Sequence, residues 1–302
     1  MYNPQLETFL VVADSGSFSK AAESLYISPN AVIKQMNSLE TNLELTLFER
    51  THRGLVLTEA GKSLYRDAGY VIQYAKDSIV RARNAMQKGE SVIRIGTSPM
   101  TPAQILVELW PRIHAICPEI KFNLATFENT PENAREILKN LGQNIDMVAG
   151  IFDEKLLEYR QCDGLELYQA PLCCAVSMGN PLAEKDRLEP EDLYGENLMI
   201  LKRGQMGQMD RLRDELAEKH PQVHIVDFDF YNTETFNQCE NGNDILVAVQ
   251  NWQHVHPMLK IIPVNWDHAI PFGLLHSKEP ASAVRSCIEA IVKVYQMELR
   301  DA

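Results

Sequence analysis

The sequence predicts an α+β chain: a winged helix-turn-helix at the N-terminus, a long connecting helix, and a two-lobed α/β domain. Three observations carry this. Two helix-period segments, each preceded by a serine, stand about three residues apart between residues 17 and 43. Residues 59–88 hold apolar or small side chains at a sustained 4-3-4 spacing. Beyond residue 90 short apolar runs alternate with amphipathic stretches, the pattern of strands alternating with helices.

In order along the chain, Leu6, Phe9, Leu10 and Ala13 share one helical face, and Asp14-Ser15-Gly16 breaks the period. Ser17 reads as the N-cap of a helix from Phe18 to Leu25 that turns Ala21, Ala22 and Leu25 inward. After Tyr26-Ile27, Ser28 caps a third helix whose first residue is Pro29, where a missing N–H costs nothing. Val32, Met36 and Leu39 are its core positions. Leu47 to Thr58 reads as two extended stretches around Thr51-His52-Arg53-Gly54, a hairpin with a basic tip. Thr58 then caps a helix from Glu59 to Lys88, with its seam at 64, 68, 71, 75, 79, 82 and 86. So narrow a seam fits a partner helix, so dimerisation through this helix is expected.

The second half reads as strands at 91–98, 120–127, 145–151, 171–178, 196–203, 223–230, 244–249, 260–264 and 272–277. Helices are expected at 102–117, 131–141, 206–219, 233–240 and 281–299. The domain boundaries are therefore 1–58 for the winged head and 59–88 for the linker helix. Lobe I takes 91–163 plus 267–302, and lobe II takes 164–266.

Composition narrows the function. The 302 residues are 45% hydrophobic and 23% charged, ordinary globular usage for about two domains. Residues 1–12 lack a cationic head with an apolar run, and no run of about 18 apolar residues occurs, so a cytoplasmic protein with no membrane contact is expected. The net charge of −12 divides unevenly: residues 1–90 hold ten Lys+Arg against ten Asp+Glu, and the rest hold 19 against 31. The whole acidic excess lies outside this N-terminal segment of 90 residues, which permits phosphate binding there. Six cysteines without CxxC spacing read as reduced core thiols, with a redox-sensing pair as the alternative that adjacent Cys173-Cys174 supports poorly. Eight scattered histidines and the lack of HExxH, GxSxG, Walker or GxGxxG patterns argue against an enzyme, and no catalytic residue, metal or cofactor is expected.

The stretch LETFLVVADSGSFSKAAESLYISPNAVIKQMNSLE, continued by LELTLFERTHRGLVLTEAGKSLY, resembles the signature of LysR-type transcriptional regulators over residues 4–68. Phe18, Ala21-Ala22, Leu25, Ser28, Leu39-Glu40, Leu47 to Arg50 and Leu57-Thr58-x-Ala60-Gly61 stand at family spacing without a gap. Residues 180–201 carry the best local match in the second half. Two departures are visible: the recognition helix opens Ser28-Pro29-Asn30 with Ile33 before Lys34, and a glycine-rich stretch is reduced to Gly242-Asn243-Asp244-Ile245.

The resemblance implies a cytoplasmic regulator that binds promoter DNA as a homodimer or homotetramer, with RNA polymerase as a further partner. Its second half would be a periplasmic-binding-protein-like domain taking a small-molecule effector, which two helix starts and a Lys-Arg pair allow to be anionic. Alternatives are a regulator with a vestigial second half and, from another class, a solute-binding protein.

For DNA, the candidates are Asn30, Ile33 and Lys34 in the groove, by adenine pairing, thymine-methyl contact and guanine or phosphate contact respectively. Arg53 at the wing tip resembles the family's minor-groove arginine. Ser17 and Lys20 are candidates for backbone phosphates, which position without specifying sequence. Arg50 is expected to pair with a carboxylate within the domain or to contact phosphate, and Ser28 is counted with the DNA-binding residues. Each has a bland counterpart as a solvated polar group or, for Ile33, a core residue. For the effector, Thr101-Pro102-Ala103-Gln104 reads as a capping box and Thr130-Pro131 as a second helix start. The family's interlobe site then implies Ser98, Met100, Thr101, Asn129, Thr130, Lys202, Arg203, Gly204 and Asn232.

Overall fold

A computed structural model describes residues 2–51, 54–86 and 92–301. The chain divides into two compact units, Met1–Lys88 and Gly89–Ala302.

The first unit packs α1 (Gln5–Ser15), α2 (Phe18–Leu25) and α3 (Pro29–Leu43) on a hairpin of β1 (Phe48–Thr51) and β2 (Gly54–Leu57), followed by α4 (Glu59–Met86). Its core joins Phe9, Val12, Ala21, Ala22, Val32, Met36, Leu39 and Leu47, with Ala68 and Ile72 of α4. Two of the expected seam residues behave differently from the rest: Ala68 and Ala75 are buried within the unit, whereas Val71 and Ile79 are 42% and 39% exposed. Met86 of the seam, Lys88 and the Gly89 stop lie outside the described side chains or residues.

Local chemistry explains several letters of the N-terminal motif. Ser28 Oγ accepts from Ala31 N at 3.2 Å, as the cap of α3, and Pro29 takes its first position. Ser17 precedes α2 with extended backbone, but its side chain makes no capping bond. The Glu40 carboxylate accepts from Leu47 N at 2.6 Å and Phe48 N at 3.2 Å, tying α3 to the start of the hairpin. Thr58 Oγ1 donates to Thr46 O at 2.7 Å and accepts from Gly61 N at 2.9 Å, which begins α4. Gly61 must lack a side chain: a Cβ there would stand 2.2 Å from Leu47 O.

The second unit is built on one nine-stranded sheet system in the order β4-β3-β5-β11-β6-β9-β7-β8, with β10 also paired to β6. Its first half holds β3 (Val92–Thr97), β4 (Lys121–Thr126), β5 (Met147–Ile151) and the returning β11 (Ala269–Ser277). Its second half holds β7 (Asn197–Leu201), β8 (His224–Phe228), β9 (Ile245–Val249) and β10 (Leu259–Pro263). The expected strand at 171–178 is the end of a much longer one, β6 (Cys162–Ser177). Its first stretch pairs with β11, and its last residues pair with β9 and β10, so one strand serves both lobes. The polar letters Asp163, Glu166 and Gln169 concealed this extension, because β6 is half solvated before residue 170 and buried throughout from Leu172. Gly273 marks the bulge in β11, where a Cβ would meet Leu165 O at 1.9 Å.

The helices around the sheet are α5 (Gln104–Ile116), α6 (Pro131–Lys139), α7 (Glu154–Arg160), α8 (Gly207–Lys219), α9 (Thr233–Gly242) and α10 (Ser282–Asp301). The short α7 was not anticipated; Asp153 caps it by accepting from Leu156 N at 2.8 Å. The expected capping box at Thr101 does not form. The cap position of α5 is Ala103, and Thr101 instead closes a tight bridge with Ser98, their hydroxyls 2.7 Å apart. Gln104 turns outward to Glu108. Among the described residues, no helix is long and apolar enough to cross a membrane, and no group of three or more His, Cys, Asp or Glu is placed to hold a metal ion.

Candidate functional site

On the first unit, Asn30 and Lys34 are exposed on consecutive turns of α3, and Ile33 beside them is half-buried. Ser28 is exposed, with its hydroxyl oxygen engaged in the cap. Lys20 is exposed on α2, and Ser17 at the start of α2 is half-buried. Gln35, one residue further round α3, is committed inward, accepting from Thr8 Oγ1 at 2.6 Å. Arg50 stands in β1 with its side chain outside what the structure describes, and Arg53 lies outside the described residues. One residue here had escaped notice. Tyr26, in the turn between α2 and α3, is 96% exposed and holds φ at 56°. A bulky residue in the left-handed region is uncommon, and such strain concentrates at functional sites.

In the second unit a cavity of about 620 Å³ opens between the two halves of the sheet system. Three bonds tie the halves beside it. Trp252 Nε1 donates to Met100 O at 2.9 Å, and Asn129 Nδ2 donates to Tyr231 O at 2.7 Å. The buried Asp153 accepts from Gly207 N at 2.7 Å. The floor on one side is aromatic: Tyr231 and Trp252 pack at a tilt of 49° with ring centroids 4.6 Å apart, and the Tyr231 hydroxyl donates to Val247 O at 2.7 Å. Burial pushes the Tyr231 phenol far above its ordinary range, so it remains a donor.

Of the effector residues expected from sequence, Met100, Thr101, Asn129 and Gly204 line this cavity. Ser98 is spent on Thr101, while Thr130 and Asn232 cap α6 and α9 by accepting from Asn133 N and Thr235 N. Lys202 faces Asp229 at 3.4 Å and Arg203 faces Asp214 at 2.6 Å, both outside the lining. The opposite wall comes from residues that sequence reasoning missed: Arg135 and Leu138 of α6, and Lys155, Leu156, Tyr159 and Arg160 of α7. The sequence pattern assigns no element to residues 154–160, and it does not orient the helix at 131–141. Arg160 is the unusual member. Its Nη1 is buried without a hydrogen-bond partner, and its guanidinium carbon lies 5.2 Å from the centroid of the Tyr159 ring. Burial pushes this guanidinium down from its ordinary value; Tyr159 opposes the push and the neighbouring Arg135 charge adds to it.

Comparison with known proteins follows the same division. Residues 4–62 match the bacterial regulatory helix-turn-helix protein family of lysR type, and residues 87–296 match the LysR substrate binding domain. The regulator YofA of Bacillus velezensis is 33% identical over 229 residues, 76% of this chain and 74% of that protein. A hydrogen peroxide-inducible genes activator of Pectobacterium carotovorum subsp. carotovorum is 27% identical over 206 residues, covering 66% of this chain. That match spans 64% of the activator's own length, just short of two thirds. Among solved structures, the LysR family regulator CbnR superposes with a TM-score of 0.57 at 19% identity, covering 97% of this chain and 99% of CbnR. That likeness is one of fold. With one family domain spanning residues 87–296 and its helix-turn-helix partner in front of it, this chain belongs to the LysR family.

Proposed function

We propose that this protein is a DNA-binding transcriptional regulator, not an enzyme, whose promoter binding is modulated by a small molecule held in the cavity of its second unit. The observation that carries the DNA half is the capped α3, which presents Asn30 and Lys34 to solvent while Val32, Met36 and Leu39 are buried behind them. Asn pairs with adenine by two hydrogen bonds, and Lys reaches guanine or phosphate. A CbnR structure is described as a complex with its target DNA, which supports the same use of the motif here.

Exposed Tyr70, Val71, Tyr74 and Ile79 on α4 support dimerisation through that helix. A dimer would present two recognition helices to adjacent major grooves, and pairing of second units would give tetramers. The effector then acts through its differential affinity for two assembly shapes.

The test is fluorescence anisotropy of the whole protein on the DNA upstream of its own gene, against scrambled competitor, at two salt concentrations. Specific binding that falls about tenfold or more in Asn30→Ala and in Lys34→Ala is the expected result. Arg53→Ala is expected to weaken it further. No preference over scrambled DNA there, and no site in a genome-wide pull-down, would end the DNA-binding reading.

A further inference from the structure

The second unit is strongly acidic, yet the wall formed by α6 and α7 is cationic where it meets the cavity. Arg135, Lys155 and Arg160 all line it, against one lining carboxylate, Asp229, which faces Lys202. Lys155 has a counter-charge in Asp210 at 3.6 Å. The two arginines have none among the described residues, and they repel each other. Burying a cation's donor without a partner is costly, and native structures rarely leave one unsatisfied. The last turn of a helix suits a cation, and the Tyr159 ring covers one face of this one. Neither gives Nη1 a hydrogen-bond partner, and the half-buried Arg160 side chain meets the cavity without a counter-charge among the described residues. Around this charge the wall is apolar: Leu138, Val148, Leu156 and Leu275.

We infer that the cavity takes a carboxylate with an apolar body, its charged head held by Arg160 with Arg135 and its body against the leucine and Tyr231–Trp252 surfaces. The inference rests on the reading of this cavity as the effector site, and it names the ligand's chemical class. A guanidinium fork meets a carboxylate by two parallel hydrogen bonds, so Arg160 supplies selectivity for charge and for planar geometry together. The ligand neutralises an arginine pair that otherwise repels, which gives the bound form an electrostatic gain that a neutral analogue lacks.

The experiment titrates the full-length protein by calorimetry with benzoate, 1-naphthoate and decanoate, each beside its own carboxamide. In at least one pair the acid should bind at least tenfold more tightly than the amide. Arg160→Met should erase that preference, a loss of roughly 10–100-fold for the acid, with the amide within twofold. Arg160→Lys should keep part of it, and Arg211→Met, an exposed arginine of α8 outside the lining, should change nothing. Unchanged amide binding certifies that Arg160→Met is folded. Acids and amides binding alike, or a preference that survives Arg160→Met and Arg135→Met, would overturn the inference and leave the effector site standing. Absence of binding by every probe would overturn both.

Discussion

The described side chains of the candidate DNA face come from one short run of chain, residues 17–34, whereas the cavity draws its wall from positions scattered between 100 and 275. On the head, each exposed residue is oriented by neighbours one helical turn away: Ser28 fixes the start of α3, and Val32 and Met36 fix its rotation. Around the cavity, the orienting contacts span the chain, as in the bond from Trp252 to Met100 or from Gly207 to Asp153. A surface made by local contacts tolerates distant change. A cavity made by long-range contacts depends on the whole sheet.

Two glycine substitutions should separate these regions most sharply. Gly61→Ala places a Cβ 2.2 Å from Leu47 O, and Gly273→Ala places one 1.9 Å from Leu165 O, both against backbone that cannot swing away. Each should cost about 3 kcal/mol or more within its own unit. Gly61→Ala is expected to abolish specific DNA binding while ligand-induced stabilisation persists, and Gly273→Ala to do the reverse. Loss of both functions in either variant, read by anisotropy and thermal shift, would show that the two units fold as one.

All six cysteines lie in the second unit, so thiol chemistry reports on that unit alone. Burial pushes Cys162 and Cys173 up to about 11, and Cys239 and Cys287 up to about 12, while Cys174 rises well above its ordinary range. At pH 8 a thiol at about 11 is roughly one part in a thousand thiolate, against about a quarter for a free thiol. The native protein should therefore react with a disulfide reagent fastest at the half-buried Cys117, whose thiol is also pushed up by burial, and at the other five at least about 100-fold more slowly than a free thiol. Gly61→Ala should keep that protection and Gly273→Ala should lose it. The pH sign follows. The buried thiols favour the folded state fully below about pH 8.5, and their contribution is lost as pH climbs through 11–12, because the unfolded chain releases its protons first. Urea midpoints measured from pH 8 to 10.5 should fall, and a flat profile would contradict it.

The same contrast decides what could be read from the letters. Ser28-Pro29 and Thr101-Pro102 look alike as helix starts, but only the first caps its helix. Ser28 has no competitor for its hydroxyl, whereas Thr101 follows a strand whose last turn brings Ser98 within 2.7 Å. Periodicity placed the helix-turn-helix, the hairpin and the alternating α/β order, since each is a local pattern of apolar residues. It could not place Arg160, because α7 depends on an aspartate cap and on packing against β6 that no nearby period announces, and it placed the helix of Arg135 without showing which side meets the cavity. Met100, Thr101, Asn129 and Gly204 were reachable through the family resemblance.

A milder test lies within the head. Glu40 joins α3 to the hairpin through two backbone amides. Glu40→Gln keeps one acceptor and loses the charge, so it should cost about 1–2 kcal/mol of head stability. The substitution touches nothing in the second unit. Thiol protection should stay at the wild-type level while the head's melting transition falls, and a change in both would weaken the separation drawn above.

The smallest expected effect concerns Tyr26. Its backbone closes α2 in a left-handed turn, with Ile27 N donating to Ala22 O at 3.1 Å, a role that glycine fills without a Cβ penalty. Tyr26→Gly should therefore stabilise the head by up to about 1 kcal/mol. A tyrosine that is 96% exposed contributes little packing to offset that strain, which points to a use outside the folded head. The turn directly precedes the exposed run Ser28 to Asn30, where a phenol could donate to a DNA phosphate. Tyr26→Gly should then weaken DNA binding by a few fold, equally for specific and scrambled sequence, while raising the melting temperature. A gain in stability with unchanged affinity for both DNAs would assign the ring no part in binding and leave the face to α3 and its neighbours.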